Sequence, residues 1–194
     1  MKKIIYLIAL IWIAYGCDSY LDVNKDPNYP TEAPNSLIIP SAQNFISAKL
    51  GEHIFNSCGF FAQYWDQAVE ANQYNNIAEY NILQSFLNRP YRDLYAGALS
   101  DLKVVKEQAV ENEAWGDYLV AAVLRAYTFQ ILVDLMDQAP YTEALQGSAN
   151  SMPKWDNGKD IYAGIIAELD EALSKGVTAS SPISSDLLLG GDAG

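Results

Sequence analysis

The sequence predicts an all-α fold in which four or five helices form stacked hairpins. Apolar residues recur every three or four positions over long stretches, which is the period of a helix with one buried face. No run alternates between apolar and polar residues as a half-buried strand does. Long loops separate the helical stretches, and hairpins of this kind stack as repeats.

The first helical stretch begins at Ser41. Its predicted buried face consists of Ala42, Ile46, Leu50, Ile54, Cys58, Phe61, Trp65 and Ala68. Gly51 and Gly59 weaken it, so we expect a bend or two shorter helices. Cys58 lies among apolar residues and is predicted to be a small buried side chain. A polar loop containing tyrosines follows over residues 70–85.

Three further helices are predicted downstream. The second begins after Phe86, with Pro90 at its first position, where a missing N–H is tolerated. Its inward face is Leu87, Tyr91, Leu94, Ala98, Leu102, Val105 and Ala109. The third runs from Trp115 to Met136 and is apolar almost all round, so it must be central. The last is predicted to start near Asn157 with Asp160 as capping partner, to bury Ile161, Ile165, Leu169, Ala172 and Leu173, and to end at Gly176.

The N-terminus has the layout of a bacterial secretory signal. Lys2 and Lys3 precede an apolar run, and small residues lead to Cys17. We interpret residues 1–16 as a signal peptide, Cys17 as a lipid anchor, and residues 17–36 as an extended, Asn- and Pro-rich tether. The alternative is an ordinary secretory signal in which Cys17 is incidental. The remaining residues, 37–194, are predicted to form the helical domain.

The chain is strongly acidic, with 24 acidic and 12 basic residues and a formal net charge of −12. Nucleic acid as a partner is therefore disfavoured, because a phosphate backbone requires clustered Lys and Arg. Solubility outside the cell is the simplest role for this charge.

Catalytic and metal chemistry have little support in the sequence. His53 is the single histidine, and with Cys17 lipidated Cys58 is the single free thiol, so no metal cluster or cofactor is predicted. Glycoside hydrolysis needs two carboxylates across a sugar bond. Glu168, Asp170 and Glu171 are the acids that we weigh for this, and we interpret them as a solvated helix face beside Lys175.

Ligand binding is indicated by the 13 tyrosines and four tryptophans. Aromatic faces cover the C–H side of a sugar, while amides and carboxylates bond its hydroxyls. The candidate ligand residues are Trp65, Tyr74, Tyr80 and Trp155, each adjacent to Asn or Asp. Packing or contact with a partner protein is the alternative role for each of them.

Several short motifs stand in order along the chain. A lipoprotein signal is followed by Tyr20-Leu21-Asp22-Val23-Asn24-Lys25-Asp26-Pro27-Asn28, Leu124-Arg125-Ala126-Tyr127, Val133-Asp134-Leu135, Ala139-Pro140-Tyr141-Thr142-Glu143-Ala144-Leu145, Pro153-Lys154-Trp155-Asp156 and Asp160-Ile161-Tyr162. In this order and spacing they resemble the SusD/RagB family of outer-membrane lipoproteins from Bacteroidota. The family often has Phe-Gly-Asp where Met136-Asp137-Gln138 stands here.

The resemblance implies a fold of tetratricopeptide-like hairpins, the SusD-like α superhelix. It implies a surface protein that is not an enzyme, captures glycans or other nutrients, and hands them to a partner TonB-dependent (SusC-like) transporter. It also implies that the chain is the N-terminal, truncated portion of such a protein, which would leave an apolar face exposed and favour aggregation. The alternative function is a surface helical-repeat scaffold that binds proteins or peptides without a glycan role.

Overall fold

The computed structural model describes residues 33–178 and 182–188. The α-helices are α1 (Asn35–Ala48), α2 (Phe55–Phe61), α3 (Asn75–Ala78), α4 (Asn88–Asp93), α5 (Ser100–Glu111), α6 (Trp115–Met136) and α7 (Gly158–Ser174). The strands are β1 (Gln138–Ala139) and β2 (Asp156–Asn157). The prediction of an all-α fold is confirmed. The predicted signal peptide and the anchor Cys17 lie outside the described residues.

The first helix is longer than the sequence pattern indicated. It begins at Asn35, six residues before Ser41, and accommodates Pro40 in its interior. A π-helical segment, π1 (Lys49–Ile54), joins α1 to α2. Each π turn holds more residues than an α turn, so the side chains that follow are rotated about the axis.

This rotation overturns the predicted burial of Cys58. The thiol is exposed, and Ser57, Gly59 and Phe60 are the buried residues of α2. Trp65, on the same predicted face, lies beyond the end of α2 and is exposed. A strict α-helical period carried through residues 41–68 therefore placed the wrong face inward after residue 54.

The second helical rod is α4, a π segment π2 (Leu94–Leu99), and α5. Its predicted inward face is largely confirmed, because five of its members are fully buried: Leu94, Ala98, Leu102, Val105 and Ala109. Pro90 is the third residue of α4 rather than the first. The physical reason for its tolerance is unchanged, since first-turn N–H groups have no acceptor within the helix.

Helix α6 has the predicted bounds and is the central helix. It packs against α5 on one side and α7 on another. Its length and composition would suit a membrane span, but half of its most apolar 18-residue stretch is buried within the protein. A core helix explains that composition fully. Val123 and Tyr127 are exceptions, because they lie on an exposed side of α6.

The connection from α6 to α7 is closed by β1 and β2, which pair antiparallel, with Ala139 opposite Asp156. The predicted cap of the last helix is wrong. Asn157 occupies the N-cap position without a side-chain cap, because its Oδ1 accepts a hydrogen bond from Gln138 Nε2 at 3.1 Å. Leu173 is also exposed rather than inward.

Candidate functional site

Three of the four predicted ligand residues pack against phenylalanines of α2, in an aromatic group around that helix. Trp65 contacts Phe55 and Phe60 edge-on, at ring-centroid distances of 4.9 and 6.1 Å. Tyr74 packs against Phe60 at 5.0 Å, and Tyr80 stacks on Phe61 at 6.0 Å with 13° between the planes. Helix α2 thus positions three loop rings through its own phenylalanines.

Hydrogen bonds close the loop that carries these rings. Gln67 Oε1 accepts from the backbone N–H of Tyr74 at 2.7 Å, and Gln67 Nε2 donates to Asn75 Oδ1. The Tyr80 hydroxyl donates to the carbonyl of Phe61 at 2.7 Å. Tyr80 holds a left-handed backbone conformation with φ of 56°. The loop is therefore tied back to α2 and does not project freely.

A cavity of about 300 Å³ opens beside this group, between the end of π1 and the loop. Its lining combines rings, an imidazole and amides: His53, Gln73, Tyr74, Asn76, Asn81 and Phe86. Sites for small molecules span roughly 300–1,000 Å³, so this cavity is at the small end of that range.

His53 differs from the other lining residues because its Nε2 atom is buried and has no hydrogen-bond partner among the described residues. Its ring packs against Phe86 at 4.7 Å. Burial lowers the pKa of the imidazole below 6.5, outweighing the nearby Glu52, which raises it. No sequence pattern singles out this histidine, because one lone His has no partner residues at metal- or ligand-binding spacing.

Trp155 lies in a second aromatic group. Its ring stacks on Tyr91 at 6.0 Å with 12° between the planes. The contacts continue through Tyr95 to Phe129 and on to Tyr141. The row therefore runs from Trp155, which is 55% exposed, into the core at Phe129, which is fully buried. No ring contact among the described residues links it to the group around α2.

Asp156 fixes the loop that carries Trp155. Its Oδ2 accepts from the backbone N–H of Tyr141 at 3.1 Å and of Thr142 at 2.7 Å, and the Thr142 hydroxyl also donates to it. Desolvation would raise the pKa of this carboxyl, but these donors outweigh it and hold the pKa below 3.8. Asp156 is therefore an ionised structural acceptor.

The predicted solvated face of α7 is wrong for Glu168. Its Oε1 atom accepts from Lys106 Nζ on α5 and from Arg125 Nε on α6, the latter at 2.9 Å. The three side chains are only 11–20% exposed. Desolvation would raise the pKa of Glu168, but the two cations outweigh it and lower the pKa.

The neighbouring acids differ from Glu168. Glu171 is more exposed; it accepts from the Tyr118 hydroxyl at 3.0 Å and pairs with Lys175 at 3.3 Å. Burial and this hydrogen bond raise the pKa of Tyr118 to about 12. Asp170 is exposed, as predicted. Within residues 33–178 and 182–188, no group of His, Cys, Asp and Glu could hold a metal ion.

Fold and site together define an all-α protein with a small surface cavity lined by rings and amides. The sequence profile of the SusD-like family, described as starch-binding and associating with the outer membrane, matches residues 27–194. Because the match covers most of the chain, the chain belongs to this family, and the resemblance drawn from the motifs is confirmed. No curated protein matches it significantly.

Proposed function

We propose that this chain is a lipid-anchored glycan-binding protein of the outer-membrane surface. Acyl chains on Cys17 would hold it there, and it would pass oligosaccharides or other nutrients to a TonB-dependent, SusC-like transporter. The family match over residues 27–194 carries the proposal, because that family is described as starch-binding and associating with the outer membrane.

The aromatic group around α2 supports a binding role. Trp65 and Tyr80 are 39% and 53% exposed, so each offers ring surface to solvent while a phenylalanine holds its other side. Tyr74 lines the adjoining cavity. Rings fixed in this way lose little freedom when they cover the C–H face of a sugar. The stacked pair of Trp155 and Tyr91 offers a second platform.

Glu168, Glu171 and Asp156 are engaged in structural contacts rather than free for hydrolysis. A glycosidase needs one carboxyl that donates a proton and a second that attacks or activates water. Glu168 is held by two cations, Glu171 by Tyr118 and Lys175, and Asp156 by donors of its own loop. These engaged acids are ionised at neutral pH, and none is poised as a general acid.

Glycan binding is tested by isothermal titration calorimetry with the full-length chain in detergent and a panel of starch-derived and other oligosaccharides. We expect one or more to bind, and Trp65→Ala, Tyr80→Ala or Trp155→Ala to weaken binding. Tyr64→Ala is the control, because Tyr64 is 84% exposed and makes no ring contact among the described residues. No binding to any glycan would reject the proposal.

The anchor is tested separately in cells supplied with labelled palmitate. We expect incorporation into the wild-type chain and into Cys58→Ala, and none into Cys17→Ala. Equal labelling of the two variants would reject lipidation at Cys17.

A scaffold that binds proteins or peptides without a glycan role is the second candidate. The exposed apolar side chains of Val123, Tyr127 and Ile166 on α6 and α7 favour it. Affinity purification from the outer membrane distinguishes the two. A barrel transporter recovered together with measured glycan affinity supports the first function, and peptide binding without glycan affinity supports the second.

A further inference from the structure

A second cavity, between α5, α6 and the loop that follows β1, gathers positive charge. It has a volume of about 290 Å³, and its lining includes Lys103 and Lys106 of α5 and Arg125 of α6. Glu107 is the one acidic residue of that lining among the described residues. The chain has 12 Lys and Arg residues and a net charge of −12. Three cations at one cavity are therefore a local reversal of the charge of the whole chain.

Arg125 has hydrogen-bonding capacity that the fold does not use. Its Nε donates to Glu168 at 2.9 Å, and its Cζ lies 5.4 Å from the centroid of the Phe129 ring. The two Nη nitrogens make no hydrogen bond to a described residue. Solvent reaches them, because the buried side-chain atoms without a partner in the described part of the chain are only Asn35 Oδ1 and His53 Nε2. The guanidinium is thus held by its contacts and keeps one donor edge open.

The acidic groups nearby do not neutralise the three cations. Glu168 shares one carboxylate oxygen, Oε1, between Lys106 and Arg125. Glu107 pairs with Lys103 at 3.5 Å, but the two side chains are 63% and 46% exposed. An exposed pair of this kind is weak, so Lys103 is available to another anion. Three positive charges face two negative ones, which leaves an excess of one positive charge at the cavity.

A carboxylate is the anion that this arrangement fits best. It carries a single charge, equal to the local excess, and its two oxygens match the parallel N–H donors on the open edge of a guanidinium. Lys103 adds a point charge at the exposed side of the cavity. Tyr141 and Leu145 also line the cavity and offer apolar surface that can cover the C–H side of a sugar ring.

Resting on the proposed glycan-binding function, we propose that this cavity binds the carboxylate of a uronic acid residue, so that the ligand is an acidic oligosaccharide. The carboxylate accepts from the Nη nitrogens of Arg125, and Lys103 and Lys106 provide further positive charge. Glu168 positions the guanidinium from α7. This ligand class differs from starch, which carries no charge. Acidic surface elsewhere on the chain repels such a ligand, which confines its binding to this cavity.

A matched pair of ligands tests the role of charge on the full-length chain in detergent. Oligogalacturonate and its methyl-esterified form have the same rings, but only the first carries carboxylates. Isothermal titration calorimetry should show the acid binding about tenfold more tightly than the ester or a malto-oligosaccharide. Sodium acetate at the same carboxylate concentration should not compete. Displacement of the oligosaccharide by acetate would show a site for free carboxylates and overturn the assignment to a glycan.

Variants locate the binding. Arg125→Lys keeps the charge beside Glu168 but loses the donor fork, and it should weaken binding of the acid about tenfold. Lys103→Glu reverses an exposed charge and should weaken it by a similar factor, about tenfold. Glu107→Gln removes the acid of the lining and should tighten binding about threefold. Lys159→Ala is the control, because Lys159 is exposed and lies outside the cavity lining.

Each result has a distinct meaning. If the wild-type chain binds the acid and the ester equally, or if Lys103→Glu and Glu107→Gln behave like Lys159→Ala, the cavity proposal is overturned and the glycan-binding function stands. These two variants decide the question if Arg125→Lys fails to fold, since both side chains are exposed. If the wild-type chain binds no glycan at all, the proposed function fails, and this inference fails with it.

Discussion

The indole of Trp65 lies directly on the backbone of Gly59. A Cβ atom added at Gly59 would lie 2.5 Å from Cε3 of the ring, closer than real Cβ contacts allow. The absence of a side chain at this position in α2 is therefore what permits Trp65 to sit between Phe55 and Phe60.

Gly59→Ala is expected to displace the Trp65 ring towards solvent. The ring would lose edge-on contacts worth about 0.5–1.5 kcal/mol each. Alanine in a helix recovers about 1 kcal/mol of propensity, so the net loss in the free energy of unfolding should be at most about 2 kcal/mol. Hydroxyl-radical footprinting read by mass spectrometry should show increased oxidation of Trp65.

Gly51→Ala is the matched control for that change. Gly51 has nothing within 4 Å of its Cβ position, so the same substitution should leave Trp65 oxidation unchanged. Equal oxidation of Trp65 in wild type and in Gly59→Ala would show that the ring does not depend on this contact.

Glu168 joins three helices, and Glu168→Gln is expected to destabilise the protein. The change leaves Lys106 and Arg125 without an anionic partner in a site that is only 11–20% exposed. Removing one member of a buried ion pair costs about 3–5 kcal/mol, and partial solvent access lowers the expected loss to about 2 kcal/mol. Urea denaturation at pH 7 measures it, with Asp170→Asn, an exposed acid of the same helix, as the control.

The same ion cluster predicts how stability depends on pH. The folded-state pKa of Glu168 is below its ordinary value of 4.5, so its stabilisation is complete above about pH 4.5. The contribution is lost as the pH falls from there through the folded-state pKa, where the native carboxylate gains a proton. The stability gap between wild type and Glu168→Gln should be constant from pH 7 to 5.5 and shrink below pH 4.5. A gap that widens in acid would contradict the assignment.

Asp137 terminates α6 in a strained conformation that glycine would relieve. Its φ is 63°, in the left-handed region, where a non-glycine residue costs about 1–3 kcal/mol. Glycine avoids the clash but has more freedom to lose on folding, so Asp137→Gly should stabilise by about 0.5–1 kcal/mol. The midpoint of urea unfolding measures this. Asp137→Ala keeps the strain and should not stabilise; equal midpoints for the Gly and Ala variants would refute the argument.

Cys58 should react in the native state because its thiol is exposed. In a Cys17→Ser background, a maleimide reagent is expected to label the folded protein at a rate close to that of the urea-unfolded chain. If labelling required denaturant, the Cys58 thiol would be buried, as the sequence predicted, and this prediction would be wrong. The prediction concerns accessibility alone, since a lone exposed cysteine defines no site.

The helix whose bounds the sequence predicted best is α6. Both ends of α6 coincide with the prediction, because a 22-residue helix that is apolar on most sides has few ways to pack. The face of α2 was wrong because π1 adds residues to a turn, and Lys49–Ile54 carries no compositional signal for that change. The spacing of apolar residues alone does not reveal where an α-helix changes locally to a π-helix.

The sequence predicted which kinds of residue form the candidate site, but not how they are arranged in space. Aromatic residues beside amides pointed to Trp65, Tyr74 and Tyr80. Their positions depend on the phenylalanines of α2 and on Gln67 closing the loop, and no helical or strand period encodes these contacts. His53 could not be identified, because its significance arises from a buried atom without a partner rather than from any spacing.

Asp117 attaches residues 182–188 to the start of α6. The carboxylate is 2% exposed; it accepts from Asn35 Nδ2 at 2.9 Å and from the backbone N–H of Ser184 at 2.7 Å. Asp117→Ala removes these acceptors and should cost about 2 kcal/mol, since hydrogen bonds to charged groups contribute about 1.5–3 kcal/mol. Hydrogen–deuterium exchange at Ser184 should accelerate.

Gly116→Ala should release the same segment by a different force. A Cβ at Gly116 would lie 2.2 Å from the carbonyl oxygen of Pro182, so backbone must move to make room. One variant removes acceptors and the other introduces a steric clash, and faster exchange at Ser184 in both would locate the attachment at this end of α6. Unchanged exchange at Ser184 in both variants would mean that Gln43, which accepts from the backbone N–H of Leu187 at 2.8 Å, holds the segment without Asp117.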